Sequence, residues 1–252
     1  MDIYDYLERI GYRGSLEPTL QTLQGLHEAH LQTVPFENLS IYYKQPIVLG
    51  EEALYDKIVR RRRGGFCFEL NGLFAVLLCE LGFEVTQVAA SMAHDDGQFG
   101  PEVDHLTLLV HLAEDWLADV GNGDSFRLPL RVEEGVEYRE GDPPQQSYRM
   151  ERDGEHWIVQ RCGSDGIWKP EYRFGVQPHK LADFRERCHY YETSPDSHFT
   201  HGRMCSLATP EGRITVRDLR LITTVHGQKE ERILGSEEEC REVLRERFGV
   251  VV

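Results

Sequence analysis

The sequence has few cysteines, and none of them forms a C-x-x-C pair. The six lie at positions 67, 79, 162, 188, 205 and 240 of a 252-residue chain. Cysteines scattered in this way fit neither a disulfide framework nor a zinc site. They predict mostly small buried thiols in a reducing compartment, so we expect a cytoplasmic location and no metal.

Long apolar runs and an excess of positive charge are also missing. No run approaches the roughly 18 residues that a membrane span needs, and the acidic start at residues 1–5 is unlike a signal peptide. The formal net charge is -15, which repels phosphate backbones. We therefore expect neither a membrane nor a nucleic acid as a partner. Hydrophobic residues still make up 40% of the chain, enough for a packed core.

The hydrophobic pattern changes along the chain. Helical spacing predicts helices over residues 18–34, 51–62 and 67–81, the last apolar over most of its circumference and ended by Gly82. Short β-rich segments follow, which predicts an antiparallel barrel or sandwich across roughly residues 84–175. The predicted strands lie at residues 84–90, 106–112, 116–120, 147–152 and 156–161.

The remainder of the chain mixes helical and strand-like segments. A helix is predicted over residues 179–191, and strand-like runs follow from about residue 193. Ser236 and Glu239 fit a capping box at the start of a charged helix over residues 236–248. Residues 142–146 are the best candidate for an exposed loop.

Cys67 differs from the other cysteines in its local sequence. Gly64 and Gly65 precede it and permit a tight backbone approach just before a predicted helix. Cys67 then lies in the first turn, where the positive end of the helix dipole favours a thiolate nucleophile. The alternative is a small buried residue without a chemical role.

A nucleophilic cysteine needs a base, and the base needs an acceptor that orients it. His105 begins one predicted strand and Asp119 ends the next, with a short loop at residues 113–115 between them. The two side chains can therefore face each other across a hairpin. Either residue alone is more often structural, but the order Cys, His, Asp is that of papain-like thiol enzymes.

Five segments, in order, resemble motifs of the arylamine N-acetyltransferase family. They are VPFENL at 34–39, RGGFCFE at 63–69, VDH at 103–105, WLADVG at 116–121 and a C-terminal section at 197–215. The resemblance implies an α+β fold with a papain-like thiol-enzyme core. Residues 1–88 would form a helical bundle carrying the nucleophile, residues 89–192 an antiparallel β-barrel carrying His and Asp, and residues 193–252 an α/β lid. The hydrophobic pattern gave similar boundaries.

The resemblance also implies an acetyl-CoA-dependent reaction of the ping-pong type. Acetyl-CoA, as co-substrate, would acetylate Cys67, and an arylamine or arylhydrazine would then take the acetyl group. His105 would activate the thiol, and Asp119 would orient the imidazole. A related amide-forming acyltransferase or a thiol hydrolase on the same triad is the alternative. A binding protein on this scaffold is disfavoured because all three triad residues are present.

Further residues match positions that line the substrate and CoA cleft in the family. They are Phe36, Asp104, Gly121, Asn122, Gly123, Phe199 and Met204. Asn122 departs from the family pattern, since a bulky aromatic is usual between the two glycines, and Asp104 stands where a small or polar residue is common. These departures concern the substrate range and the electrostatics of the pocket. For Phe36, Phe199 and Met204 the alternative is an ordinary place in the core.

Overall fold

The computed structural model describes residues 1–140 and 146–252. The α-helices of these residues are α1 (Ile3–Ile10), α2 (Leu20–Thr33), α3 (Leu39–Tyr42), α4 (Glu51–Tyr55), α5 (Cys67–Glu80), α6 (Arg185–Thr193) and α7 (Glu237–Phe248). A π-helical turn, Asp56–Arg60, continues α4, and a 3-10 turn, Leu181–Phe184, precedes α6. The predicted loop at 142–146 lies outside the described residues except for Gln146, which begins a strand.

The strands form two antiparallel sheets. In chain order they are β1 (Phe36–Glu37), β2 (Glu84–Met92), β3 (His105–His111), β4 (Asp115–Ala118), β5 (Leu130–Arg131), β6 (Tyr138–Glu140), β7 (Gln146–Asp153), β8 (His156–Cys162), β9 (Trp168–Phe174), β10 (Met204–Thr209), β11 (Gly212–Arg217), β12 (Arg220–Val225) and β13 (Gln228–Ile233). Eight strands pair in the order β5-β4-β3-β2-β9-β8-β7-β6, and five in the order β1-β10-β11-β12-β13. The Arg131 backbone N–H donates to the Tyr138 hydroxyl at 3.1 Å, so the edges of the larger sheet meet in a nearly closed barrel.

The predicted α+β class and antiparallel barrel are confirmed. The barrel begins at Glu84, so β2 crosses the predicted boundary at residue 88, and the division into three domains stays a prediction. The sequence pattern missed β9 because Pro170 interrupts it. The structure places Pro170 where the register between β8 and β9 shifts, which is the irregularity that tolerates proline in a strand.

The capping box predicted for the last helix is only half formed. The Ser236 hydroxyl accepts a hydrogen bond from the Glu239 N–H at 3.2 Å, as predicted. The Glu239 carboxylate accepts from the Gly235 N–H rather than from the Ser236 N–H, so the second hydrogen bond of the box is displaced by one residue although Ser236 is the N-cap.

Helix α5 is the central element of the larger core. Phe68, Leu70, Leu73, Phe74 and Leu77 have no exposed surface. The helix packs against β2 and β3 of the barrel on one side and against α1 and α4 on the other. Because α5 is apolar on nearly every side, it is buried over most of its length, as its sequence predicted, and only Cys79 and Glu80 at its end are exposed.

Four buried charges fix the turn that precedes α5. Lys57 Nζ donates to both oxygens of Glu69 at 2.7 and 2.9 Å, and Arg63 Nε donates to Glu37 at 3.0 Å. Glu69 also accepts from the Phe66 N–H at 3.2 Å, which ties the charge pair to the start of α5. Removing one partner would leave a buried charge uncompensated, so these pairs specify the path of the turn.

Gly64 lies where this turn crosses the residue before β1. A Cβ at Gly64 would come within 2.0 Å of the Pro35 carbonyl oxygen. The Glu37 N–H donates to the Gly65 carbonyl at 2.8 Å, so the two segments are hydrogen-bonded at the crossing. Only a residue without a side chain fits here.

None of the described residues forms a helix long and apolar enough to cross a membrane.

Gly64→Ala should lower the free energy of unfolding by about 1–3 kcal/mol, because the added methyl group must displace backbone atoms. Gly163→Ala is the matched control, since a Cβ there meets only Asp165 Oδ1 at 3.8 Å. Urea unfolding of both variants measures the difference. Equal stabilities would show that the close crossing at Pro35 does not exist.

Candidate active site

Three elements bring the predicted triad together. Cys67 is the first residue of α5, His105 is the first of β3, and Asp119 directly follows β4. His105 Nε2 donates to Asp119 Oδ2 at 2.7 Å, and the Cys67 side chain lies close enough to the imidazole to help raise its pKa. Since Asp119 occupies Nε2, the ring nitrogen left for Cys67 is Nδ1. All three residues are buried.

The charges of His105 and Asp119 stabilise each other. Burial acts to lower the pKa of His105, but the charge of Asp119 and hydrogen bonds to Asp119 and Cys67 outweigh it and raise that pKa well above the ordinary value. Burial acts to raise the pKa of Asp119, yet His105 and hydrogen bonds from Asn71 and Gly121 hold it below its usual range. The arrangement therefore stabilises the imidazolium that forms when His105 takes a proton, which is what a base for a thiol requires.

Asn71 is a site residue to which the sequence analysis gave no role. Its Nδ2 donates to Asp119 Oδ1 at 2.8 Å and to the Leu106 carbonyl at 2.6 Å, and its Oδ1 accepts from the Val120 N–H at 2.9 Å. The side chain thus joins α5 to the strands that carry His105 and Asp119. The available signal was its spacing, four residues after Cys67, which places both side chains on one face of a helix.

Gly121 and Gly123 permit close packing between protein segments. A Cβ at Gly121 would lie 2.7 Å from Cys67 Cα, and one at Gly123 would lie 2.8 Å from the Phe36 ring. Both contacts are to the protein itself. The segment after Asp119 therefore lies directly against the start of α5 and against β1.

A cavity of about 810 Å³ opens beside Cys67, within the usual size of a small-molecule site. It is lined by Cys67 and His105 and by every residue predicted for the cleft: Phe36, Asp104, Gly121, Asn122, Gly123, Phe199 and Met204. The smaller sheet contributes Arg213, Arg217 and Lys229 to the same cavity. The binding roles of the residues predicted for the cleft stay predictions, but the structure places all of these residues around one cavity.

Asp104 is held by α6 at the edge of this cavity. Arg187 forms an ion pair with its carboxylate, with Nε 2.9 Å from Oδ1, and the Tyr191 hydroxyl donates to the same oxygen. The negative charge beside His105 is therefore compensated by a cation. Within the described residues, no group of three or more His, Cys, Asp or Glu side chains is placed to hold a metal ion.

Comparisons with known proteins found chains that are similar in sequence and in fold. A family model described as N-acetyltransferase matches residues 19–252. The arylamine N-acetyltransferase of Mycolicibacterium smegmatis is 33% identical and aligns with 99% of this chain and 92% of its own length. Proansamycin X synthase of Amycolatopsis mediterranei is 30% identical, with 96% and 95% covered. The solved structure of Mycobacterium marinum arylamine N-acetyltransferase in complex with CoA superimposes with a TM-score of 0.90 at 32% identity, covering 99% of this chain and 93% of that one.

Iodoacetamide at neutral pH should alkylate Cys67 before the other five cysteines, because Cys67 lines the cavity and has His105 as a base. Cys79 has an apolar sequence context but is exposed, so it is the most demanding internal control. Partial burial of its thiol and the charge of Glu80 raise the pKa of Cys79, which should slow it. Peptide mapping of labelled protein checks the order, and faster labelling of Cys79 or Cys162 would contradict it.

Proposed function

The chain belongs to the arylamine N-acetyltransferase family, and from this premise we propose that it transfers acetyl groups from acetyl-CoA to an arylamine or arylhydrazine through a thioester on Cys67. The observation that carries the proposal is a single imidazole, His105, that is hydrogen-bonded to Asp119 and lines the same cavity as Cys67, whose side chain helps to raise the pKa of His105. A nucleophile, a base and an orienting carboxylate in contact are the requirements of acyl transfer through a covalent intermediate.

In the first half-reaction, His105 Nδ1 takes the proton of Cys67 as Sγ attacks the carbonyl carbon of acetyl-CoA. The new C–S bond forms, the bond to the CoA sulfur breaks, and the leaving thiolate takes the proton from the imidazolium. Asp119 stabilises the imidazolium while it exists and keeps Nδ1 aimed at the sulfur.

In the second half-reaction, the amine nitrogen attacks the thioester carbon. His105 accepts a proton from that nitrogen and returns it to Cys67 Sγ as the bond between Sγ and the acetyl carbon breaks, and the acetylated amine leaves. The same base thus serves both halves, which is why one cavity must admit the donor and the acceptor in turn.

The charge distribution around the cavity supports an anionic donor. The protein as a whole carries a net charge of -15, yet three cations line the cavity from the smaller sheet. Arg213 is paired with Asp124 and Lys229 with Glu231, whereas Arg217 has no ion-pair partner among the described residues. Cations attract the phosphates of CoA.

The effect of Asn122 on the acceptor range and the cytoplasmic location stay predictions.

Mixing the protein with acetyl-CoA in the absence of amine should add one acetyl group to the Cys67 peptide, as measured by mass spectrometry. Cys67→Ser is the control and should lose transfer activity by several decades, since the nucleophile itself is replaced. Retention of more than about a tenth of the activity in Cys67→Ser would exclude Cys67 as the nucleophile. An adduct that water removes as fast as an arylamine does would indicate a thiol hydrolase.

Asp119→Asn should slow acetylation of Cys67 without unfolding the protein, because the charge that stabilises the imidazolium is lost. The corresponding change in serine-triad enzymes costs about four decades in rate, and a cysteine enzyme should lose less because its ion pair is partly formed at rest. Stopped-flow acetylation, normalised to folded protein, measures the effect. An unchanged rate across the pH range would remove Asp119 from the triad.

A further inference from the structure

His27 is a fully buried histidine in α2 that the reaction described above does not use. Its ring stacks on Phe126, with centroids 5.9 Å apart and an interplanar angle of 9°, and meets the edge of Phe74 at 6.2 Å. The two aromatic side chains hold the imidazole in one orientation. A rotation of the ring would break both contacts.

The hydrogen bonds of His27 define its protonation. The Asp119 N–H donates to His27 Nε2 at 3.0 Å, so Nε2 carries no proton. His27 Nδ1 lies 2.7 Å from the Arg127 carbonyl oxygen, which can only accept, so Nδ1 carries the proton. The ring is therefore a neutral imidazole in a single tautomer. Burial lowers the pKa of His27 to about 4, despite opposing effects of Arg127 and Asp119, so the neutral form persists at neutral pH.

These two hydrogen bonds connect His27 to Asp119 and to Arg127, which lie towards the two ends of the segment between β4 and β5. Strand β4 ends at Ala118 and β5 begins at Leu130, so the Asp119 N–H lies outside the strand pairing of the barrel. His27 supplies the acceptor that a neighbouring strand would otherwise provide. An unpartnered buried N–H is costly, so this acceptor restrains the backbone at Asp119.

We propose that His27 is a positioning residue for the triad, holding Asp119 and the segment 119–127 so that the carboxylate meets His105 and Gly121 packs against Cys67. This inference rests on the proposed function, because it concerns the same triad. It assigns His27 no contact with substrate: the residue acts through the position of Asp119. Sub-ångström placement of such groups matters, since small displacements of catalytic groups cost large factors in rate.

Three variants and a control test the proposal. His27→Leu removes both hydrogen bonds. His27→Gln keeps an oxygen near the position of Nε2 and so an acceptor for the Asp119 N–H. His27→Asn keeps a donor near the position of Nδ1 but falls short of Asp119. His30→Leu is the matched control, because His30 is a fully buried histidine one turn later on α2 whose hydrogen bond goes to the Tyr6 hydroxyl.

The measurements are the rates of Cys67 alkylation by iodoacetamide and of Cys67 acetylation by acetyl-CoA, each per folded molecule, with the melting temperature recorded. His27→Leu should slow both rates by about 10- to 100-fold, the usual effect of losing a residue that orients a reactive group. His27→Gln should be faster than His27→Asn. His30→Leu should lower the melting temperature while leaving both rates unchanged.

The outcomes separate this inference from the proposed function. Alkylation by iodoacetamide needs no acetyl-CoA, so it tests the role of His27 even if the wild-type protein is not acetylated by acetyl-CoA. A wild-type protein that is not acetylated would overturn the proposed function but not the positioning role of His27. Rates in His27→Leu equal to wild type would overturn the positioning role. If His27→Leu does not fold, equal rates in His27→Gln and His27→Asn would overturn it as well.

Discussion

The site depends on the buried carboxylate of Asp119. Because water does not reach it, all of its hydrogen bonds must come from the protein. His105 binds one oxygen, and Asn71 and the Gly121 N–H bind the other. These partners come from β3, from α5 and from the segment after β4. The barrel and the helices must therefore meet at one point with their register fixed, because a missing partner would leave a buried charge unsatisfied.

The nucleophile is held to the same point by a second set of constraints. The close packing of Gly64 on Pro35 and of Gly121 on Cys67 brings the start of α5 into direct contact with the segments before β1 and after β4. The buried Lys57–Glu69 pair anchors the turn from the other side. Rigid placement of this kind lets one imidazole serve two half-reactions, since no part of the site has to be rebuilt between them.

The parts of this arrangement that depend on local sequence could be predicted. The apolar pattern of α5, the glycines before Cys67 and the hairpin order of His105 and Asp119 all act within a few residues. The contact of His27 with Asp119 spans 92 residues, and no local pattern distinguishes a buried histidine that accepts a backbone hydrogen bond from an ordinary one. The exposure of Cys79 was missed for a related reason, since an apolar neighbourhood in sequence does not decide which side of a helix is covered.

The acyl group is proposed to travel on Cys67 between two separate half-reactions. The direct test is to acetylate the protein with acetyl-CoA, remove all CoA by gel filtration, and add an arylamine. We expect one equivalent of acetylated amine for each acetylated Cys67, with the acetyl group lost from Cys67 at the same rate. A stable adduct that transfers nothing until CoA is added back would contradict a ping-pong reaction through Cys67.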